Sequence, residues 1–423
     1  MSSRDRKSFE VPGASPATLP LRPHVLFFLT YNALYLVPLL LAFFLGYDQG
    51  GIGDVLGISG ATILEICLAY LSGMVAFVVG AYSPDFFSWT MRAHSRPTPP
   101  ICWLRIGAAE KIAILILCLV FVVSKISLVP LGVYHDYAFD TGSMVGGRWS
   151  YSMVCSEAMI LAGIAALFTK GRHSLRNFVM ISALNGINLL HGTRIFFISS
   201  IMVLALYGYV RGKVTLKRAI LYGPLAFAMV LLLAYIVFLS RSHVSTTGAF
   251  SPAALVSPVI YESVLSQASL IGLLGPSPAW ETFGHPLRFL LDIILFTVPR
   301  PMLPDKDSLL YIGRFYYLSP YGAFNGYAQG LIYFGFLFPL FYFLLGLTGS
   351  YLYKKSQLSP WWLVLYIFFT ADFLLHIMRD GYIVPLKMLI NTAECILILI
   401  FWRNVVNACT PNEPLGSEAK LSN

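Results

Sequence analysis

The sequence predicts an all-α, polytopic integral membrane protein. Charged residues make up only 12% of the 423-residue chain against 57% hydrophobic, about half the charged share of a water-soluble domain. Mean hydropathy is +0.72, more apolar surface than a soluble core could hide. The apolar residues also fall into blocks of about 20, the length a helix needs to cross a bilayer. In that solvent only helices or closed barrels satisfy their own backbone groups. No polar stretch is long enough to fold alone, so one continuous membrane domain is expected.

Taken in order, a tail over residues 1–24 carries Arg4, Arg6, Lys7 and Arg22. This polar lead-in, with no small-residue cleavage site close behind the first span, predicts no cleaved signal peptide. The first span runs from Val25 to Tyr47, and the second from Ala61 to Tyr82 after a loop holding Asp48 and Asp54. A proline-rich segment with Arg92, Arg96 and Arg105 precedes the third, Ala108 to Pro130. The fourth, Ser150 to Phe168, is closed by Lys170, Arg172 and Arg176. Two short segments, Phe178–Leu190 and Ile195–Val210, meet at His191-Gly192-Thr193-Arg194. The seventh, Ala219 to Ser240, delivers Arg241 to the opposite side and completes residues 25–240.

Residues 241–320 are the long break in the apolar series and read as a large outer loop. The C-terminal spans, within 321–403, are Tyr321–Tyr353, Trp361–Met378 and Val384–Trp402, followed by a tail over 404–423. That makes about ten spans, with both termini inside. Leu287–Val298 has 12 residues including Arg288 and Asp292, which suits an interfacial or re-entrant helix. Were it to cross, the count would be eleven and the C-terminal half would invert. With ten spans, nineteen of the 29 Lys and Arg fall inside, and Lys125 and Lys387 within spans. The eight outside are Arg148, Arg194, Arg241, Arg288, Arg300, Lys306, Arg314 and Arg379. This asymmetry obeys the positive-inside rule, so the net charge of +9 reflects topology and not nucleic-acid binding.

Several classes are excluded or left without an anchor. The six cysteines show no CxxC or CxxxC spacing, so neither disulfides nor a zinc site is indicated. There is no Gly-x-Ser-x-Gly, His-Glu-x-x-His or P-loop sequence, which removes the usual starting points for hydrolases and ATPases. Asp305-Lys306-Asp307 and the pair Asp48 and Asp54 are the acidic groups that could hold a metal. Lys306 between the carboxylates weakens the first, and no metal is expected. Glu65, Lys125, Asp372, Lys387 and Glu394 lie within spans, where ionisable groups are costly and should face the interior, as a transport path or, with no periodic arrangement visible, as internal pairs. Gly322, Gly326 and Gly330 form a small-residue stripe for close helix packing.

The outward arginines are the informative ones. Guanidinium is always charged and pairs bidentately with phosphate oxygens. Arg194, Arg241, Arg300 and Arg379 at or near span ends, with Lys306 and Arg314 in the loop, would suit a pyrophosphate at the head of a long lipid. Each alone could equally snorkel to headgroups or pair locally, as Arg379 could with Asp380.

The chain from about residue 150 to 400 resembles the Wzy-type O-antigen polymerases, glycosyltransferases that act on lipid-linked sugars. The residues that carry the resemblance are Gly192-Thr193-Arg194 between two short spans, Arg241, and Val298-Pro299-Arg300-Pro301 ahead of Pro304 and Lys306. To these add the glycine-bearing helix ending Tyr333-Phe334-Gly335. The chain departs from the pattern at Phe338, where many members have glycine. The resemblance implies a GT-C-like architecture in the bacterial inner membrane with its site facing the periplasm. It implies a polymerase that moves a growing glycan from undecaprenyl pyrophosphate onto a lipid-linked repeat unit. No cofactor or metal is implied, and a chain-length regulator and a flippase of the same pathway are the implied partners.

On that account Arg194, Arg241, Arg300 and Arg379 stabilise the departing pyrophosphate. The attacking hydroxyl needs a base, and Glu262, Glu281, His285, His243 and Asp380 are unranked candidates. Tyr311, Tyr316, Tyr317 and Tyr321 could stack on sugar rings. An O-antigen ligase shares donor and arginines. A transporter of lipid-linked oligosaccharide or another anion, and a non-catalytic assembly partner, are the readings from other classes.

Overall fold

The computed structural model describes residues 22–44, 58–88, 108–128, 146–169, 173–190, 195–210, 263–264, 266–275, 284–298, 302–318, 324–390, 393–394, 397 and 401. Among these, regular structure is helical and no strand occurs. Four stretches of the described residues are long and apolar enough to cross a membrane: Pro23–Phe44, Gly60–Asp85, Gly326–Ser356 and Pro360–Asp380. Lys111–Val123, Cys155–Leu167 and Ile195–Val210 are shorter apolar helices. These lengths and compositions point to a membrane location.

The helices are α1 (Pro23–Phe44), α2 (Gly60–Ser88), α3 (Ala108–Leu128), α4 (Gly146–Leu167), α5 (Ser174–Asn185), α6 (Ile187–Leu190) and α7 (Ile195–Val210). Then come α8 (Pro286–Thr297), α9 (Lys306–Leu309), α10 (Gly326–Phe334), α11 (Phe338–Ser356), α12 (Pro360–Phe368) and α13 (Leu374–Asp380). Residues 266–274, inside the stretch read from sequence as a loop, are also helical, and Gln267, Ser269 and Leu270 there are buried.

α2 shows why the fold needs an apolar solvent. Ile63, Ile66, Tyr70, Phe77 and Ala81 are buried, yet on its other side Leu64, Leu68, Leu71, Val75 and Val79 are between 53% and 60% exposed. A helix apolar on all sides belongs in a large core or a bilayer. Its inner side runs parallel to α11 at close quarters. A Cβ on Gly80 would sit 2.0 Å from the Phe343 carbonyl oxygen, and one on Gly346 would sit 2.1 Å from that of Phe77. Small residues let the two backbones touch, the packing device of membrane helices.

α1 runs parallel to α12. His24 Nδ1 lies 3.1 Å from the Tyr366 hydroxyl, and two turns on Tyr31 reaches Thr370 and Ala371. At the Pro23 end, Arg22 donates to the Ala81 carbonyl and Ser350 Oγ, both at 2.6 Å, and pairs with Asp85. Lys354 joins Asp85 at 3.2 Å. Burial pulls the Arg22 guanidinium below its ordinary pKa, against the nearby tyrosines Tyr82, Tyr353 and Tyr366.

The sequence reading of one continuous span over Tyr321–Tyr353 meets a break. Gly335 has φ +54° and opens a 3-10 turn over Gly335–Leu337 before Phe338 and Pro339 start α11. Upstream of the break, Gly326 and Gly330 face residues 377–382: a Cβ on Gly326 would lie 2.5 Å from the Ile377 carbonyl oxygen. Gly322 lies outside the described residues.

Candidate functional site

The most enclosed of the four long stretches is Pro360–Asp380, 83% buried against 33–44% for the others. Ser359 and Pro360 start α12, proline fitting the first turn of a helix because its missing N–H has no partner there anyway. Between α12 and α13 the helix widens into a π turn over Phe369–Phe373. Such single turns insert an extra residue and occur often at functional sites. Insertion frees backbone carbonyls, and the buried Tyr31 hydroxyl donates to two of them, Thr370 O at 3.3 Å and Ala371 O at 3.0 Å.

The π turn and α13 carry Asp372, His376 and Asp380 at i, i+4 and i+8, one helical face. α4 brings Glu157 against that face. His376 Nδ1 lies 2.9 Å from Asp380 Oδ2, and Arg379 Nη1 lies 3.5 Å from Asp380 Oδ1. On its other side, His376 Nε2 lies 3.2 Å from Glu157 Oε1 and 3.8 Å from Asp372 Oδ1. Glu157, Asp372 and His376 are each 1% exposed. His376 Nε2, both Glu157 oxygens and Asp372 Oδ1 nonetheless lack a partner in hydrogen-bond geometry. The Phe196 ring of α7 closes the cluster, its centroid 5.6 Å from that of His376.

A second buried network sits beside α13 and is built from neutral groups. Asn325 caps α10 by accepting from the Tyr327 N–H at 2.8 Å. Its side-chain amide donates toward the Tyr70 hydroxyl and Gln267 Oε1 at 3.2 Å and the Met378 carbonyl at 3.4 Å. Gln329 Oε1 accepts from Tyr382 N at 2.7 Å and Ile383 N at 3.3 Å. These contacts tie α10 to α13 and fix the height of Asp380.

Outside the long helices, α8 covers the 12 residues Pro286–Thr297, about 18 Å long and too short to cross. Leu287, Leu290 and Ile294 are exposed along one side while Phe289 and Asp292 are buried. Asp292 accepts from Tyr311 N and Ile312 N, both at 2.9 Å, and from the Tyr333 hydroxyl. It thereby locks the 3-10 turn Ile312–Leu318 to α8 and α10.

Of the sequence-predicted site residues, Asp380 and Arg379 meet at the end of α13. His285 is the exposed N-cap residue of α8, its ring 5.4 Å from that of Tyr311. Arg314 is exposed, its guanidinium 5.8 Å from the Tyr311 ring centroid. Burial raises the Tyr311 phenol above its ordinary value, with Arg314 and Arg288 opposing the shift. Lys306 is 6% exposed and donates to the Val298 carbonyl at 2.9 Å and toward that of Phe296 at 3.5 Å. That is the C-terminal end of α8, where a cation meets the helix dipole. Arg194, Arg241, His243, Glu262, Glu281, Arg300 and Tyr321 lie outside the described residues, as do Asp48 and Asp54.

The ionisable residues expected to face the interior divide. Asp372 does so, whereas Glu65 and Glu394 are exposed. Glu65 stands roughly 7 Å along α2 from its first residue. Lys387 lies over the Phe296 ring at 5.0 Å, and the Lys125 side chain is outside the described set. The sequence reading missed Glu157 and His376. The signal was there in the i, i+4, i+8 spacing of Asp372, His376 and Asp380. Comparison of the chain with protein-family models, curated proteins and solved structures finds no match in any of the three.

Proposed function

We propose that the chain is a lipid-linked oligosaccharide polymerase of about ten spans and GT-C-like architecture. In this reading it lies in the bacterial inner membrane with its site facing the periplasm. The observation that carries the reading is the end of α13, where Asp380 is held between the His376 imidazole at 2.9 Å and the Arg379 guanidinium at 3.5 Å. Of the carboxylates that the sequence offers as the base, Asp380 is the one among the described residues. Its side chain is 15% exposed, within reach of a substrate hydroxyl. Ile195, the residue after Arg194, opens α7, whose Phe196 packs on His376.

The reaction would join the acceptor hydroxyl oxygen to the anomeric carbon of the donor glycan. The bond from that carbon to the pyrophosphate oxygen breaks, and the hydroxyl proton passes to Asp380. Undecaprenyl pyrophosphate leaves with the electron pair, and Arg379, with Arg194, Arg241 and Arg300, stabilises the developing charge. No cofactor and no metal enters the transfer. A chain-length regulator and a flippase of the same pathway are the partners that the resemblance implies.

One observation favours a second reading. Buried ionisable groups inside a span often mark proton or ion paths, and Glu157, Asp372 and His376 are such a group. An ion-coupled transporter of lipid-linked oligosaccharide is therefore the rival. Purified protein supplied with lipid-linked repeat units alone separates the two. A polymer ladder, lost in folded Asp380→Asn, Arg379→Ala, Arg194→Ala and Arg241→Ala proteins, establishes the polymerase. Transfer only to added lipid A core makes it a ligase, and substrate flux in proteoliposomes with no ladder makes it a transporter.

A further inference from the structure

We infer that Glu157, Asp372 and His376 bind one divalent transition-metal ion that joins α4 to the π turn inside the bundle. The inference is independent of the polymerase reading and assigns the ion a structural role. It starts from the tautomer of His376. A carboxylate accepts and cannot donate when ionised, so Asp380 at 2.9 Å places a ring proton on Nδ1, and in the neutral ring the lone pair is then on Nε2. That lone pair faces Glu157 Oε1 at 3.2 Å and Asp372 Oδ1 at 3.8 Å. Atoms of three buried side chains thus face one another, and none of them has a hydrogen-bond partner.

Ligand geometry and charge both suit a metal. One ligand atom from each residue lies within 4.8 Å of the other two. Bonds of 2.0–2.2 Å to a tetrahedral zinc-type centre put neighbouring ligand atoms about 3.4 Å apart, close to the 3.2 and 3.8 Å from His376 Nε2 to the two carboxylates. Asp380 and Arg379 offset each other. Ionised as ligands, Glu157 and Asp372 would bring a formal charge of minus two into a buried space, which one divalent cation cancels. Asp380 behind His376 completes the carboxylate–histidine–metal relay typical of such centres, orienting the ring and raising its basicity. One nitrogen and two carboxylate ligands fit zinc or manganese better than the oxygen-only sets of calcium and magnesium. The π turn has a reason here, because it sets Asp372 on the face from which Glu157 approaches.

The test uses the full chain in detergent, depleted with a chelator and titrated with Co2+ and then Zn2+. The expected result is one Co2+ per chain, displaced by Zn2+, with X-ray absorption showing one imidazole, oxygen neighbours and no sulfur. Glu157→Gln and His376→Asn should abolish that binding, and Asp380→Asn should weaken it about 10–100-fold. Measured on the unaltered protein, saturating Zn2+ that neither binds nor raises the unfolding temperature overturns the inference. So does a bound ion with sulfur or several imidazoles as neighbours, or one retained undiminished in folded Glu157→Gln protein. Each of these readouts is independent of the polymer ladder, so the two proposals fail separately.

Discussion

Asp292 and Glu157 are both carboxylates with almost no solvent contact, 0% and 1% exposed, yet their surroundings are opposite. Asp292 receives two backbone N–H groups and a tyrosine hydroxyl, so its charge is met by donors the fold itself supplies. Glu157 receives none and instead faces an imidazole nitrogen and a second carboxylate. The first arrangement is finished by folding, and the second is completed only by something that arrives. A buried acid is informative about function to the extent that its donors are missing.

The largest test of that contrast is Asp292→Ala. It strands two N–H groups and a hydroxyl in a buried place, and losing one side of such a charged network costs about 3–5 kcal/mol. Denaturant unfolding of the purified protein in micelles should show that loss. Cleavage by protease near residues 311–318 should rise with it. If Asp292→Ala unfolds like the unaltered protein, the assignment of Asp292 as an anchor fails.

Glu157→Gln should be smaller and of opposite sign. In metal-depleted protein it replaces a buried carboxyl without a hydrogen-bond partner by an amide that can donate to Asp372, a gain of about 1.5–3 kcal/mol, the size of one hydrogen bond to a charged group. With Zn2+ present the order should reverse, because only the unaltered protein gains from the ion. Destabilisation by Glu157→Gln in both conditions would mean that Glu157 is already satisfied.

The fold class was legible because it depends on summed apolar content, which no single contact can overturn. The helix interruptions were less so. Gly335 at φ +54° signals a break only once Phe338 and Pro339 are known to restart a helix, and nothing local announces the π turn at 369–373, whose carbonyls accept from Tyr31 more than 330 residues earlier. The site divides in the same way. Asp380 and Arg379 were readable as chemistry at a span end, whereas Glu157 was hidden as one acid in an apolar segment whose partner lies on another helix. For Lys306, charge and a loop position suggest a phosphate ligand, and the fold adds what the sequence does not show, contacts from its ammonium to carbonyls of the helix just upstream.

Tyr31→Phe tests whether the π turn is held from outside. The ring stays and only the hydroxyl that caps Thr370 O and Ala371 O is lost, about 1 kcal/mol for a neutral hydrogen bond. The consequence should exceed that figure at the metal site, since the carbonyls then favour an ordinary helix that turns Asp372 away. Weaker Co2+ binding with nearly unchanged stability is the expected pair of results, and unchanged binding would detach Tyr31 from the site.

Lys306→Met carries the smallest effect and extends the comparison to a cation. Like Asp292, Lys306 is buried and met by groups of the backbone, here the carbonyls of Phe296 and Val298. Methionine keeps most of the apolar stem and removes the interaction with the end of α8, about 0.3–1 kcal/mol. A cation whose acceptors come from the fold should lower stability by that amount and leave substrate handling alone. Loss of the polymer ladder in protein of unchanged stability would instead return Lys306 to the pyrophosphate, and would show that a satisfied cation can still exchange its backbone partners for a ligand's phosphate oxygens.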